Sequence, residues 1–201
     1  MAALCSVLMV GCDESTKSPI KKEILIDTLK TNNPVMENKS FTATILVAKN
    51  STETYHAIQN FRGWWSEEIE GNTDKLNEEF LYHYKDIHLC KMKLVEATPH
   101  KKLVYQVLDN QFNFVKDKSE WVNTQLIFEL SNEGDQTTVK FTHDGLVPDY
   151  ECYHVCNDAW TSYINKSLYH FITTGKGEPN PKDKDGFNAE LAEKWKLKSE
   201  K

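Results

Sequence analysis

Residues 41–47, FTATILV, alternate between apolar and polar positions and are rich in β-branched side chains, the pattern of a strand with one buried face. Asn50, Ser51 and Thr52 then offer capping oxygens, Glu53 places a carboxylate in a first turn, and Tyr55, Ile58 and Phe61 recur at helical spacing. A short helix ending near Gly63 is expected. Five more alternating runs follow, over residues 80–84, 88–96, 102–108, 124–130 and 137–143. The links between them are short and hold turn-formers: Asp86, then Thr98, Pro99 and His100, then Asp109 and Asn110, then residues 132–135. Links of that length favour antiparallel meander pairing over crossovers. From residue 151 to 174 the period becomes helical, with Cys152, Val155, Cys156, Ala159, Trp160, Tyr163, Ile164, Leu168, Phe171 and Ile172 on one stripe. Pro148 precedes this helix, and Gly175, Gly177, Pro179 and Pro181 stop it. The stripe needs an apolar partner, and the concave face of a curved antiparallel sheet is the one available. The expected class is α+β, with six or seven strands wrapped around the long C-terminal helix.

With 201 residues, the chain is long enough for one full core plus tails and short for two independent cores. The boundaries fall at residues 1–38 for a flexible leader, polar from residue 13 onward, 39–178 for the domain and 179–201 for a charged tail, in which residues 187–198 have weak helical character. Residues 2–11 form an uncharged, mostly apolar run ahead of Cys12. Two readings stay open here. Cys12 is the acylated residue of a lipoprotein signal, making the protein membrane-anchored, or the segment before Met36 is an extension without structural role. The run is too short to span a bilayer, which takes roughly 20 apolar residues.

Apolar residues make up 39% of the chain and aromatic ones 11%, so much of the apolar mass lies in large rings that must pack somewhere. The net charge of −6, with no clustered Lys/Arg surface, argues against a nucleic-acid partner. Five cysteines, at 5, 12, 90, 152 and 156, make neither a disulfide framework nor a metal knuckle. Free thiols in a reducing, cytoplasmic compartment fit that spacing. Cys152 and Cys156 lie one helical turn apart without a second pair, and His83 and His88 gather no further donors, so no metal is expected. There is no nucleophile elbow, no Gly-rich phosphate loop and no HExxH, and no cofactor is implied.

The residues that bear on function are mostly rings. Trp64 and Trp65 are adjacent; on an extended segment their side chains point to opposite faces, one into the core and one to a pocket mouth. The following residues 66–70 read as a solvated acidic loop. Trp160 and Tyr163 project from the last helix, facing Tyr82, Met92, Tyr105, Trp121, Phe128 and Phe141 from the sheet side, as core or as the lining of an apolar cavity. His143 is in phase with Val139 and Phe141 and therefore inward, where a neutral imidazole is either a satisfied core residue or an acid–base group.

Several phrases occur in an order that resembles a known superfamily: TILV at residues 44–47, RGWWS at 62–66, VEATPHKKLVY at 95–105, TTVKFTHDGL at 137–146 and AWTSY at 159–163. Over residues 39–178 the chain resembles the START-like (SRPBCC) superfamily and, within it, bacterial proteins similar to the activator of the heat-shock protein 90 ATPase. Two positions depart from that pattern: a glycine usual before the last-helix tryptophan is Ala159 here, and residues 109–120 form an added excursion. The resemblance implies a helix-grip fold with its cavity between sheet and last helix. The ring-rich inward faces and the absence of a catalytic set favour a non-enzymatic binder of a small apolar or amphipathic ligand, and the resemblance adds two further readings: an interaction protein stimulating a chaperone ATPase through the surface near Trp64, Trp65 and residues 67–70, or a cyclase- or hydrolase-type enzyme. In the last, His143 is the acid or base and Tyr82 or Tyr105 orients the substrate.

Overall fold

A computed structural model describes residues 39–182 and 189–197. Cys12, Met36 and the leader lie outside the described residues, as do residues 183–188 and 198–201 of the tail. Seven strands form one fully antiparallel sheet: β1 (Phe41–Val47), β2 (Ile69–Gly71), β3 (Glu79–Tyr84), β4 (His88–Thr98), β5 (Lys102–Phe112), β6 (Gln125–Glu133) and β7 (Gln136–Asp144), in the spatial order β1-β7-β6-β5-β4-β3-β2. β1 and β2 are opposite edges, so the chain between them crosses the whole sheet, and two short helices carry it: α1 (Ser51–Gln59) and α2 (Phe61–Trp64). The last helix lies along the concave face as α3 (Tyr153–Ser162), a π-helical segment (Tyr163–Leu168) and α4 (Tyr169–Thr174) without a break; α5 (Ala189–Lys194) follows.

The alternation seen in sequence becomes the pleat. On β7, Thr137, Val139, Phe141 and His143 are buried, and on β4, His88, Cys90, Met92 and Leu94 are. β4 and β5 are longer than the alternating runs suggest, and their register shifts at Lys91/Met92 and at Leu94/Glu96. Such bulges bend and twist a strand pair, which is how these two follow the curve around the helix.

The largest departure from expectation lies between β1 and β2. The predicted helix breaks at Asn60, whose backbone (φ −84°, ψ 70°) is not helical, and α2 starts again at Phe61. Trp64 closes α2 and Trp65 is its C-cap, so the two indoles are about 100° apart around a helix rather than on opposite faces of a strand. Both are fully buried, at 0% and 1% exposure. The expected solvated loop after them contains fully buried Ser66 and the edge strand β2.

The chain after α4 is clamped to this region. Asn180 N–H donates to the Trp65 carbonyl (3.0 Å) and Glu67 N–H to the Asn180 carbonyl (2.9 Å), a short parallel bridge. The Ser167 hydroxyl, in the π-helical segment, donates to the Trp64 carbonyl (2.5 Å) and accepts from Glu178 N–H (2.7 Å). The approach is so close that a Cβ on Gly177 would sit 2.2 Å from the Gly63 carbonyl oxygen, and one on Gly63 would sit 2.3 Å from the Phe171 ring. Gly177→Ala meets backbone and is expected to lower stability by about 1–3 kcal/mol, as overpacking does. Urea unfolding measures it, and an unchanged midpoint would contradict the packing described.

Candidate functional site

Most of the space between sheet and helix is filled. Phe61 on α2 is the centre of a ring cluster, with centroids 5.1 Å from Trp64, 5.4 Å from Trp65, 4.8 Å from Tyr105, 5.5 Å from Phe80 and 6.3 Å from Phe128. The polar tips in this half are tied to backbone: Trp64 Nε1–H donates to the Ile58 carbonyl (3.0 Å) and the Tyr105 hydroxyl to the Thr73 carbonyl (3.0 Å). Rings in contact with satisfied tips leave no room for a ligand. Trp64, Met92, Tyr105, Phe128 and Phe141 belong to this packed interior and, like the buried His143, are not among the residues that line the cavity at the other end.

A cavity of about 50 Å³ remains at the other end, between β3–β5 and α3. Five of the residues singled out in sequence line it: Trp65, Tyr82, Trp121, Trp160 and Tyr163. The rest of its wall went unrecognised: Tyr84, Ile87, His88, Phe112 and Phe114 from the strands and their connections, Val155, Cys156 and Ala159 from α3, and Leu197 from beyond α5. No lining residue carries a formal charge at neutral pH. Leu197 is positioned by its neighbours, since Trp195 stacks on His154 (6.1 Å between centroids), donates Nε1–H to Asp158 Oδ2 (3.1 Å), and Lys194 pairs with the same carboxylate.

The end wall is built by the excursion between β5 and β6. Phe112 N–H donates to the Lys118 carbonyl (3.1 Å), and Glu120 reaches the start of the last helix, its carboxylate accepting from the Cys152 N–H (2.9 Å) and from the Glu151 N–H. An acidic group there satisfies orphan N–H groups and complements the helix dipole. This staple turns Trp121 inward, with its ring stacked 5.8 Å from Trp160 and set edge-to-face against His88 (4.7 Å) and His143 (4.5 Å).

The hydrogen bonds of both buried histidines have only one consistent direction. Trp160 Nε1–H is an obligate donor and lies 2.9 Å from His143 Nδ1, so Nδ1 accepts and the proton of the neutral ring is on Nε2. Nε2–H then donates to Thr124 Oγ1 (2.8 Å), whose own proton goes to the Trp121 carbonyl (2.6 Å). For His88, Asn110 commits its amide nitrogen to the Lys118 carbonyl (2.9 Å), so its oxygen accepts from His88 Nε2–H (2.8 Å) and Nδ1 keeps a bare lone pair. Burial pushes both imidazoles down to about 3, and for His143 the neighbouring His88 adds to the effect. With both nitrogens engaged and the neutral form enforced, His143 is held as a structural link between α3, β7 and the β5–β6 connection.

At the opposite wall, the Asn180 amide donates to the Tyr163 hydroxyl (2.7 Å), with the Tyr82 hydroxyl at 3.5 Å, and Tyr82 stacks on Trp65 at 4.0 Å. Burial raises the hydroxyl pKa of both tyrosines, so they are neutral donors and acceptors here. Cys90, Cys152 and Cys156 are free and buried, burial pushes the Cys90 thiol up, and Cys152 is raised by its hydrogen bond to Cys156 and by burial; neither is poised as a nucleophile. Among the described residues no cluster of three metal-ligating side chains occurs, and no helix is long and apolar enough to cross a membrane.

The depressed histidines set a pH dependence. Between pH 6.5 and 3 the unfolded chain binds protons at His88 and His143 that the folded protein refuses, so stability falls as pH falls through that window. Each group contributes about 1.4 kcal/mol per pH unit. Urea unfolding is expected to show a loss of at least about 2 kcal/mol between pH 6.5 and 5, above the range where exposed carboxylates titrate; a flat profile would show that the imidazoles are not held neutral.

No family model matches the chain, and no curated protein matches its sequence. Solved structures do. The chain is similar to the Aha1 dimer from Colwellia psychrerythraea, with 21% identity and a TM-score of 0.56 over 69% of this chain and 99% of that one. It is similar to protein MLL2253 from Mesorhizobium loti, with 12% identity and a TM-score of 0.52 over 66% and 96%, and to a protein from Nitrosospira multiformis, with 14% and 0.52 over 68% and 98%. At these identities the likeness establishes architecture, and the architecture is the START-like helix-grip fold shared with Aha1.

Proposed function

We propose that the domain is a non-catalytic binding module that takes a small apolar molecule into the aromatic-lined pocket between β3–β5 and α3. The observation that supports this reading is the asymmetry of the interior: one half is packed with contacting rings, while the other keeps an apolar cavity with Leu197 in its wall. The rigid walls and the neutral, saturated histidine suit retention of a molecule better than proton transfer. About 50 Å³ is far below the roughly 300–1,000 Å³ of drug-sized pockets, so the ligand is small or the pocket widens as it binds. Ala159, where the family that the chain resembles usually has glycine, narrows the pocket by one methyl group.

A second reading, an interaction protein acting on a chaperone ATPase, draws its support from the fold shared with Aha1. Because Trp64 and Trp65 are buried, such a contact in this region falls to surface residues such as Glu67 and Glu70, with the exposed Leu81 opposite Glu70 on β3. Stimulated ATP turnover of the host's heat-shock protein 90 is the readout that supports it, and no binding and no stimulation would remove it.

The pocket reading is tested with single-ring probes, namely toluene, phenol and indole, titrated into ¹⁵N-labelled protein. Saturable shifts at the Trp121 and Trp160 indoles are expected. Ala159→Leu is expected to fill the pocket, weaken every probe at least tenfold, and leave stability within about 1 kcal/mol, since leucine suits a helix nearly as well as alanine. Ala159→Gly is expected to enlarge the pocket at a cost of about 1 kcal/mol. Absence of saturable binding by all three probes in wild type and Ala159→Gly would remove the proposal.

A further inference from the structure

The pocket's polar atoms narrow the kind of molecule it takes, on the reading that it is a binding site. Trp121 is 4% exposed and its Nε1–H is buried without an acceptor among the described residues. The other indoles whose bonds are defined all have one: Trp64 on the Ile58 carbonyl, Trp160 on His143, Trp195 on Asp158. A buried N–H left unpaired is costly, and a ligand atom that accepts from it recovers that cost. His88, on the same wall, spends its one proton on Asn110 and keeps a lone pair at Nδ1. The two rings meet edge-to-face at 4.7 Å and both line the cavity.

We infer that the ligand is a neutral, ring-sized molecule bearing a hydroxyl group, whose oxygen accepts from Trp121 Nε1–H and whose proton goes to His88 Nδ1. A hydroxyl is the smallest group that serves as acceptor and donor at once. A carbonyl satisfies the indole and leaves the imidazole unmatched; a protonated amine or a bare hydrocarbon leaves the indole unmatched. A carboxylate or phosphate is excluded by the wall itself, which has no cationic side chain to offset the charge. The remaining surface of the ligand meets rings and aliphatic side chains, and the cavity of about 50 Å³ must widen to admit a ring.

The test compares phenol, toluene and benzoate on the full chain by following indole N–H resonances. Phenol is expected to bind at least tenfold more tightly than toluene and to move the Trp121 Nε1–H signal downfield, with benzoate weaker than either. Trp121→Phe, which keeps a ring in place but removes the donor, is expected to bring the phenol-to-toluene ratio to within about threefold. That variant also assigns the resonance, and the downfield shift in wild type stands as an independent measurement should the variant fold poorly. Equal binding of phenol and toluene, with saturable shifts for both, overturns the hydroxyl inference while leaving an apolar pocket. Benzoate binding as tightly as phenol overturns neutrality, and no binding by any of the three removes the pocket reading beneath it.

Discussion

The hydrogen bond from the Trp160 indole to His143 fastens the last helix to the sheet, and much of the rest follows from it. Because the indole can only donate, it fixes the tautomer of His143, which fixes the direction of the bond to Thr124, which in turn commits the Trp121 carbonyl. Three elements, α3, β7 and the β5–β6 connection, are thereby held in one register inside an apolar interior, where each such bond is strong and each missing one expensive. Burial, with the neighbouring His88, lowers the imidazole pKa and so holds the ring in the neutral form that this chain of bonds needs.

The same chain explains why the interior is uneven. On the side of α2, glycines at 63 and 177 let backbone approach backbone, and the rings of Phe61, Trp64 and Tyr105 close the space. On the side of α3, the closure depends on a connection swung in from outside the sheet and stapled by Glu120 to the helix N-terminus. It brings the Trp121 ring to the wall but no acceptor for its N–H. A wall assembled from such separate pieces fits less tightly than one made by neighbouring turns of a helix, and the residual cavity lies where the pieces meet.

Much of this was legible in the sequence. Alternation located the strands β1 and β3–β7 to within a few residues, the change of period located the last helix, and the phase of His143 with Val139 and Phe141 placed it inward. What failed to show has local causes. β2 is three residues long, too short for a period, and Ser66 is buried by a strand bridge to Asn180, a residue lying in a segment that reads as charged tail. Trp64 and Trp65 read as opposed faces because the break at Asn60, which restarts a helix, has no proline or glycine to announce it. Much of the pocket wall, including His88, Phe112 and Leu197, is brought together by tertiary contacts between segments distant in sequence, and no spacing within one element records that. Trp121 was recognisable as a candidate ring, though it lies in a connection rather than on a strand.

The most direct test of the fastening is long-range ¹H–¹⁵N correlation of the imidazole rings at pH 5. His143 and His88 are expected to remain neutral with the proton on Nε2, giving one nitrogen signal of protonated character and one of bare lone-pair character for each ring. Doubly protonated rings at that pH, or a proton on Nδ1 of His143, would contradict the bond from Trp160 and with it the order imposed on the helix, the connection and the pocket wall.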